Sequence, residues 1–231
     1  MFKKSLLVAS VLGIGAVVSG VALADAGMSS TYCKPGFYAG VQAGWGKTNY
    51  NQEDVLDEVV TANGSYSFIG SEVNDTGISG RIYGGYQFNP YFALEAGYTQ
   101  FHKTDFKITS VYSHTPSSLF EGEVTEHATD VVAKVTYPFN YGFGVFAKVG
   151  GAFVAADRHI NETSIHTSGN IPSEVLYTKS YQAVRPTYGA GIDYTIPGTS
   201  FDVDISYTQI AGGGGIPRTD LAAIGITDKF A

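Results

Sequence analysis

From residue 36 onward, apolar residues alternate with small or polar ones at a period of two through most of the chain. Eight segments carry the pattern: 36–48, 77–88, 92–102, 123–138, 142–155, 178–196, 200–210 and 218–230. A period of two sends odd and even positions to opposite faces of a strand. In "GFYAGVQAGWG", Phe37, Ala39, Val41, Ala43 and Trp45 share one face, against Tyr38, Gly40, Gln42 and Gly44. In "TDVVAKVTYPF", Val131, Ala133, Val135 and Tyr137 oppose Asp130, Val132, Lys134 and Thr136. "GVFAKVGGAF" and "SFDVDISYTQ" divide in the same way, with Phe146, Lys148, Asp202, Asp204 and Ser206 on the mixed face.

The connections alternate too. Those after the second, fourth and sixth segments are tight ("NP", "FNYG" and "PGT"), while 49–76, 103–122, 156–177 and 211–217 are longer and polar. Short turns at one end and long loops at the other describe an up-and-down meander with an even number of strands. In "GGYQFNPYFALEAGY", Asn89 and Pro90 suit the first two corners of a type I turn, because proline is favoured at the second corner. That starts the next strand at Phe92 and puts Phe92, Leu94, Ala96 and Tyr98 on its apolar face, with Glu95 opposite.

Both a soluble sandwich and a membrane barrel alternate in this way, so the solvent has to be read from the residues themselves. The apolar face carries aromatics near strand ends: Tyr86, Phe88, Phe92, Tyr98, Tyr137, Phe153, Tyr194, Phe201 and Tyr207. Interface girdles have that placement. The other face mixes Gly, Ala and Ser with isolated charges of both signs, which suits a narrow interior better than a wetted sheet face. Most segments also reach the roughly 9–11 residues that a tilted strand needs to cross the hydrocarbon core. The sequence therefore predicts an all-β fold, an eight-stranded antiparallel up-and-down transmembrane β-barrel over 36–231. A secreted soluble barrel of lipocalin type is the competing fold.

Composition agrees. Charged residues are only 15%, while 29 Gly, 16 Tyr and 14 Phe favour β-structure over a helical bundle. The N-terminus follows different rules: Lys3 and Lys4, an apolar run, then Ala22-Leu23-Ala24. This reads as a signal peptide, residues 1–24, with a second cleavage candidate after Ala26, and 25–35 as a short periplasmic segment. Cleavage after Ala24 removes two lysines and no acids, leaving 12 basic against 21 acidic side chains, net −9. That balance argues against nucleic acid as a partner. Cys33 is the single cysteine, so no intramolecular disulfide forms.

The stretches "GFYAGVQAGWG", "GGYQFNPYFALEAGY" and "YGAGIDYTI" resemble the signatures of the outer-membrane β-barrel family that includes the OmpA transmembrane domain, OmpX-like proteins and opacity-type surface proteins. The resemblance covers residues 36–230 and implies residence in the outer membrane of a Gram-negative bacterium. It implies contact with lipid and lipopolysaccharide, and handling by the barrel-insertion machinery. OmpA-type relatives often continue into a peptidoglycan-binding domain; with the chain ending at Ala231, none is expected here. Relatives usually end in Phe with another aromatic two residues earlier, whereas here Phe230 is followed by Ala231 and the aromatic position is Asp228. Phe230 is thus the expected insertion signal, in an altered setting.

Four constellations could carry chemistry. Face parity turns Arg81, Glu95, Lys134, Lys148, Asp193, Asp202, Asp204 and Lys229 inward. An ion pathway is one reading. An eight-stranded interior is only wide enough for side chains to fill it, which favours a structural network, with Glu95 expected to pair with Lys134 and plug the lumen. His102, His114, His127, His159 and His166 fall in or beside the long loops, at spacings that match no standard metal-ligand pattern. Glu53, Asp54, Asp57 and Glu58 form an acidic run without calcium-loop spacing, best read as a solvated charge run. "HTS", His166 to Ser168, lies mid-loop, where the rigid geometry of a nucleophile and its base is lacking. The expectation is accordingly no enzyme, no metal and no cofactor. The barrel serves envelope integrity, adhesion or host-factor binding through its outer loops; a narrow pore for small solutes or ions is the alternative.

Overall fold

The computed structural model describes residues 35–49, 67–112, 115–166, 169–170 and 174–230. The described residues form eleven strands: β1 (Gly36–Asn49), β2 (Ser67–Asn74), β3 (Thr76–Asn89), β4 (Phe92–Gln100), β5 (Thr104–Tyr112), β6 (Thr115–Pro138), β7 (Phe143–His166), β8 (Gly169–Asn170), β9 (Glu174–Thr195), β10 (Phe201–Ile210) and β11 (Arg218–Phe230). Eight of them close a ring in the order β1-β3-β4-β6-β7-β9-β10-β11, every pair antiparallel. Closure is completed by β1 on β11, from Phe37 opposite Phe230 to Asn49 opposite Arg218. A closed ring leaves no edge, so every barrel strand has a hydrogen-bonded neighbour on both sides, as hydrocarbon demands.

The expected faces are observed. Trp45 (67% exposed), Ile78 (76%) and Val184 (71%) point outward, as do Phe37, Val41, Val131, Val149, Ile205 and Ile224. An apolar surface this continuous would aggregate in water, and it is the correct surface for lipid. Aromatics bound it on both sides. At the tight-turn end Phe37, Tyr86, Phe88 and Phe92 form a chain of ring contacts with centroids 4.9, 5.0 and 5.6 Å apart. At the other end the register aligns Tyr98 with Thr129 and Phe153, and Tyr207 with Ala222 and Trp45.

The three tight turns lie where they were expected. Asn89 Oδ1 accepts hydrogen bonds from the backbone N–H groups of Tyr91 and Phe92, both at 2.9 Å, and β4 opens at Phe92. The loops at the other end need correction. Much of 103–122 and 156–177 is strand: β5 with the outer half of β6, and the outer ends of β7 and β9. β6 and β7 each run for 24 residues, about 80 Å along the chain at a strand's usual rise. That is roughly twice the residues a span requires. Their outer halves, with β2 paired on β5 and β5 on β6, extend the sheet beyond the girdle. The acidic run at 51–60 and the proposed signal peptide lie outside the described residues.

Candidate functional site: the barrel lumen

The mixed face of every barrel strand meets in the lumen, where two layers form. The layer at mid-depth is charged. Glu95 Oε1 accepts from Lys148 Nζ at 2.8 Å and from Arg81 Nη1 at 3.2 Å. Arg81 Nη2 also donates to Asp130 Oδ1 at 2.7 Å, and Tyr38 Oη donates to Glu95 Oε2 at 3.3 Å. Arg81, Glu95, Asp130 and Lys148 are all buried. Desolvating such ions costs several kcal/mol each, and the cost is met only where partners are close and lone pairs are filled. Here each has its counter-ion. Arg81 passes close over Gly97 of β4, where a Cβ would sit 2.5 Å from the guanidinium.

Asp204 is held by neutral donors, from Gln42 Nε2 at 2.7 Å and Tyr83 Oη at 3.5 Å, and Tyr83 also bonds Thr227. Nearer the tight-turn end, Lys134 pairs with Asp193 at 3.6 Å and Lys229 with Asp202 at 2.5 Å. Lys134 and Asp193 are only half-buried.

The expected Glu95–Lys134 contact is therefore corrected. Both face the lumen, but the register sets Glu95 against Val132 and Lys134 against Ala93, one pleat apart. Lys148 reaches Glu95 from β7, and Lys134 turns to β9. Arg81, Lys148, Asp193, Asp202 and Asp204 face inward beside it. The inward set also includes Tyr38, Gln42, Tyr83, Glu126 and Asp130, which sequence reasoning left out of the network. Asp130 and Glu126 share the parity of Lys134, so alternation alone would have found them.

The second layer, at and above the outer girdle, is apolar: Phe101, Ala128, Ala152, Val154, Ile210, Ile216, Leu221 and Ala223 form one buried cluster. Glu126 stands above it, 1% exposed, and its Oε1 accepts from Thr219 Oγ1 at 2.7 Å across the lumen. Glu126 lies three residues past Thr129, and Thr219 three residues short of Ala222. Both are therefore beyond the girdle and outside the lipid-spanning band. There, burial pushes the Glu126 carboxyl up to about 7, against the opposing pull of the Thr219 hydrogen bond and the Arg158 charge.

The histidines do not converge. His127 stacks on Tyr98 at the outer girdle, with centroids 5.9 Å apart; His159 is exposed beside Thr178; and His102 sits against Gly77. His114 lies outside the described residues, as do the His166 side chain and the rest of "HTS". Among the described residues, no three His, Cys, Asp or Glu side chains gather in a way that would hold a metal ion. Phe230 ends β11 on the outward face, paired with Phe37 in the inner girdle, and Asp228 accepts from Ser200 Oγ.

A closed, lipid-faced antiparallel ring of eight strands with a packed lumen defines an outer-membrane β-barrel. Residues 34–213 match the OmpA-like transmembrane domain, and the chain belongs to that family. It is 28% identical to an uncharacterised protein of Coxiella burnetii over the full length of both. It is 22% identical to outer membrane protein A of Salmonella typhi, over 84% of this chain and 48% of that one. With the Shigella flexneri homologue it shares 24% identity over 64% of this chain and 39% of that one. The chain thus spans half or less of the length of these OmpA proteins. Among solved structures, the N-terminal β-barrel domain of Pseudomonas aeruginosa OprF aligns with TM-score 0.44 at 15% identity, over 85% of this chain and all of that one. Neisserial surface protein A aligns at 0.43 and 14%, over 85% and 99%. The protein resides in the bacterial outer membrane, and its family and fold are those of structural barrels.

Proposed function

We propose that this barrel is a closed scaffold that supports the envelope and presents its outer strands to the surroundings for adhesion or host-factor binding. One observation carries the reading: the lumen is crossed by the Arg81–Glu95–Lys148–Asp130 network and, above it, by the apolar cluster around Val154 and Ile216. Both layers fill the lumen with buried side chains that face one another across it. What remains available for recognition is the extension built from β2, β5 and the outer ends of β6, β7 and β9. The ladders of β2 on β5, β5 on β6 and β6 on β7 hold it together, with exposed ion pairs such as Lys103–Glu123 at 2.6 Å and Lys107–Glu121 at 2.7 Å on its surface.

The same reading takes in a leader cleaved after Ala24, lipopolysaccharide around the outer girdle, and Phe230 as the residue read by the insertion machinery. It assigns the chain no catalysis and no cofactor. Planar-bilayer recording of the purified protein tests the core of it. Silence is expected, and steady unitary currents would establish the narrow-pore alternative instead. Whole-cell binding to host matrix, with and without the extension, tests the presentation role.

A further inference from the structure

The 211–217 connection between β10 and β11 roofs the lumen, and it is built as a latch. Its sequence, "AGGGGIP", holds Gly213, Gly214 and Gly215 at φ of 135°, 61° and 83°, conformations that side chains rarely adopt. Gly213 and Ile216 close the turn on each other with backbone hydrogen bonds of 2.7 and 3.3 Å. Ile216, 3% exposed, is driven down into the apolar cluster between β7, β10 and β11. Two cations reach up to the turn. Arg158 of β7 donates to the Gly215 carbonyl at 2.8 Å, and Arg185 of β9 donates to that of Gly213. Glu126 of β6 grips the root of the turn through Thr219, and its second oxygen is buried with no hydrogen-bond partner among the described residues.

We propose that this turn is a pH-sensitive cap over the outer end of the barrel, with Glu126 the group whose charge state releases it. A protonated Glu126 is compatible with its apolar setting and leaves Arg158 on Gly215. An ionised Glu126 has a charged oxygen that is buried and, among the described residues, without a hydrogen-bond partner. Arg158, the cation that couples to Glu126, relieves that charge by turning toward it, and in doing so loosens its hold on Gly215.

The charged group that couples to Glu126 is Arg158, on β7. β9 contributes Tyr181 and Arg185 to this end, the segment after β4 contributes His102, and β6 itself carries Asp130 two pleats deeper, beyond Ala128. β11 offers the neutral Thr219, while Asp220 faces away and is occupied by Asn49, Tyr207 and Gln209. The closed form holds the Glu126 proton up to about pH 7. A water-exposed carboxyl releases it in the ordinary range near 4.3. Between those values the closed form binds more protons, so rising pH weakens it, and above about 7 the effect is complete.

The cap reading goes beyond the closed-scaffold reading and fails separately from it. The charged layer beneath is not required to open, so a silent bilayer record leaves the cap untouched. The test is labelling by a membrane-impermeant maleimide of Ile216→Cys in the full barrel, with Cys33→Ser as background. The protein is reconstituted in lipid vesicles, and each rate is divided by that of the same unfolded chain at the same pH. The normalised rate should rise on the order of tenfold or more from pH 5 to pH 8, and Glu126→Gln should hold it at the slow pH 5 value. Ala152→Cys, placed beneath an unmodified cap at a fully buried position, should behave the same way. A flat profile at both positions, or a rise that survives Glu126→Gln, overturns the proposal.

Discussion

Lys134 and Lys148 stand directly opposite each other across β6 and β7, two like charges on one lumenal face. Their ammonium groups lie 4.3 and 5.1 Å from the ring of Phe146, and they diverge to different anions, Asp193 and Glu95. Like charges set opposite one another destabilise a sheet unless each is drawn off by a partner. The aromatic face between them and the two carboxylates supply that relief. The lumen is thus a set of paired charges with assigned partners, and each pairing can be tested.

Removing Glu95 should be the most damaging change at mid-depth. Glu95→Ala leaves Arg81 sharing Asp130 and Lys148 buried without its anion, a loss of about 3–5 kcal/mol for a broken buried pair. Glu95→Met with Lys148→Met removes both charges and should cost clearly less than the sum of the single changes. Denaturant unfolding of the barrel in lipid vesicles, followed by Trp45 fluorescence, measures each.

Partner assignment can be separated from proximity. A double-mutant cycle on Glu95 and Lys148 should return a coupling of about 1.5 kcal/mol or more, as charge-assisted buried pairs do. The cycle on Glu95 and Lys134 should return a clearly smaller coupling, because Lys134 sits one pleat away and is bonded to Asp193. Equal couplings would restore the Glu95–Lys134 pairing expected from the sequence.

The difference between those two expectations shows what the sequence made legible. Alternation placed Glu95, Lys134 and Lys148 on one face because parity is local and the lipid on the other face enforces it. Val131, Ala133 and Val135 cannot turn inward without exposing Lys134 to hydrocarbon. Partner choice depends on register and on side-chain length, and neither is local. Arg81 reaches Glu95 from a position paired with Thr99, four residues further along β4. Above the girdle the signal fades for a physical reason. Residues such as "NETSIH" at the end of β7 lie beyond the lipid, so no apolar alternation marks them as strand, and they read as loop. Glu126 kept its parity, yet nothing local says that it crosses the lumen to Thr219.

The outward face should resist charge according to depth. Val41 lies midway along β1, between Ile82 and Ile226, and Val41→Arg should cost about 2–4 kcal/mol in lipid. Lys47→Arg, in the water beyond Trp45 and 3.8 Å from Asp75, should be close to neutral. Similar costs at the two positions would place the hydrocarbon band elsewhere. The same vesicle unfolding assay decides it.

Shortening the outer extension should leave the barrel intact. Among the described residues, β5 pairs with β2 and with the part of β6 before residue 125, and ring closure through β4 on β6 begins at Gln100 opposite His127. Replacing residues 104–122 with a short Gly-Asn linker should therefore preserve the mobility shift on boiling that marks a folded barrel. It should also abolish whatever surface binding the intact cells show. Loss of the shift would mean that the extension is part of the folding unit rather than an addition to it.

Glu126 gives the stability a pH dependence whose sign is fixed by its environment. Its folded-state pKa is raised to about 7 by burial, above the ordinary carboxyl range of the unfolded chain. The folded state therefore binds the proton more tightly, so its contribution is greatest at low pH and declines as pH rises from roughly 4.3 toward 7. Over that window the wild type should lose on the order of 1–3 kcal/mol that Glu126→Gln does not lose. The two proteins should unfold at nearly the same denaturant concentration at pH 4.5, with the variant the more stable by pH 8. Glutamine keeps an acceptor for Thr219, so the hydrogen bond across the lumen survives and only the charge is removed. If the two midpoints instead move in parallel with pH, Glu126 is already relieved in the folded barrel, and its buried oxygen has found water or Arg158 without disturbing the roof.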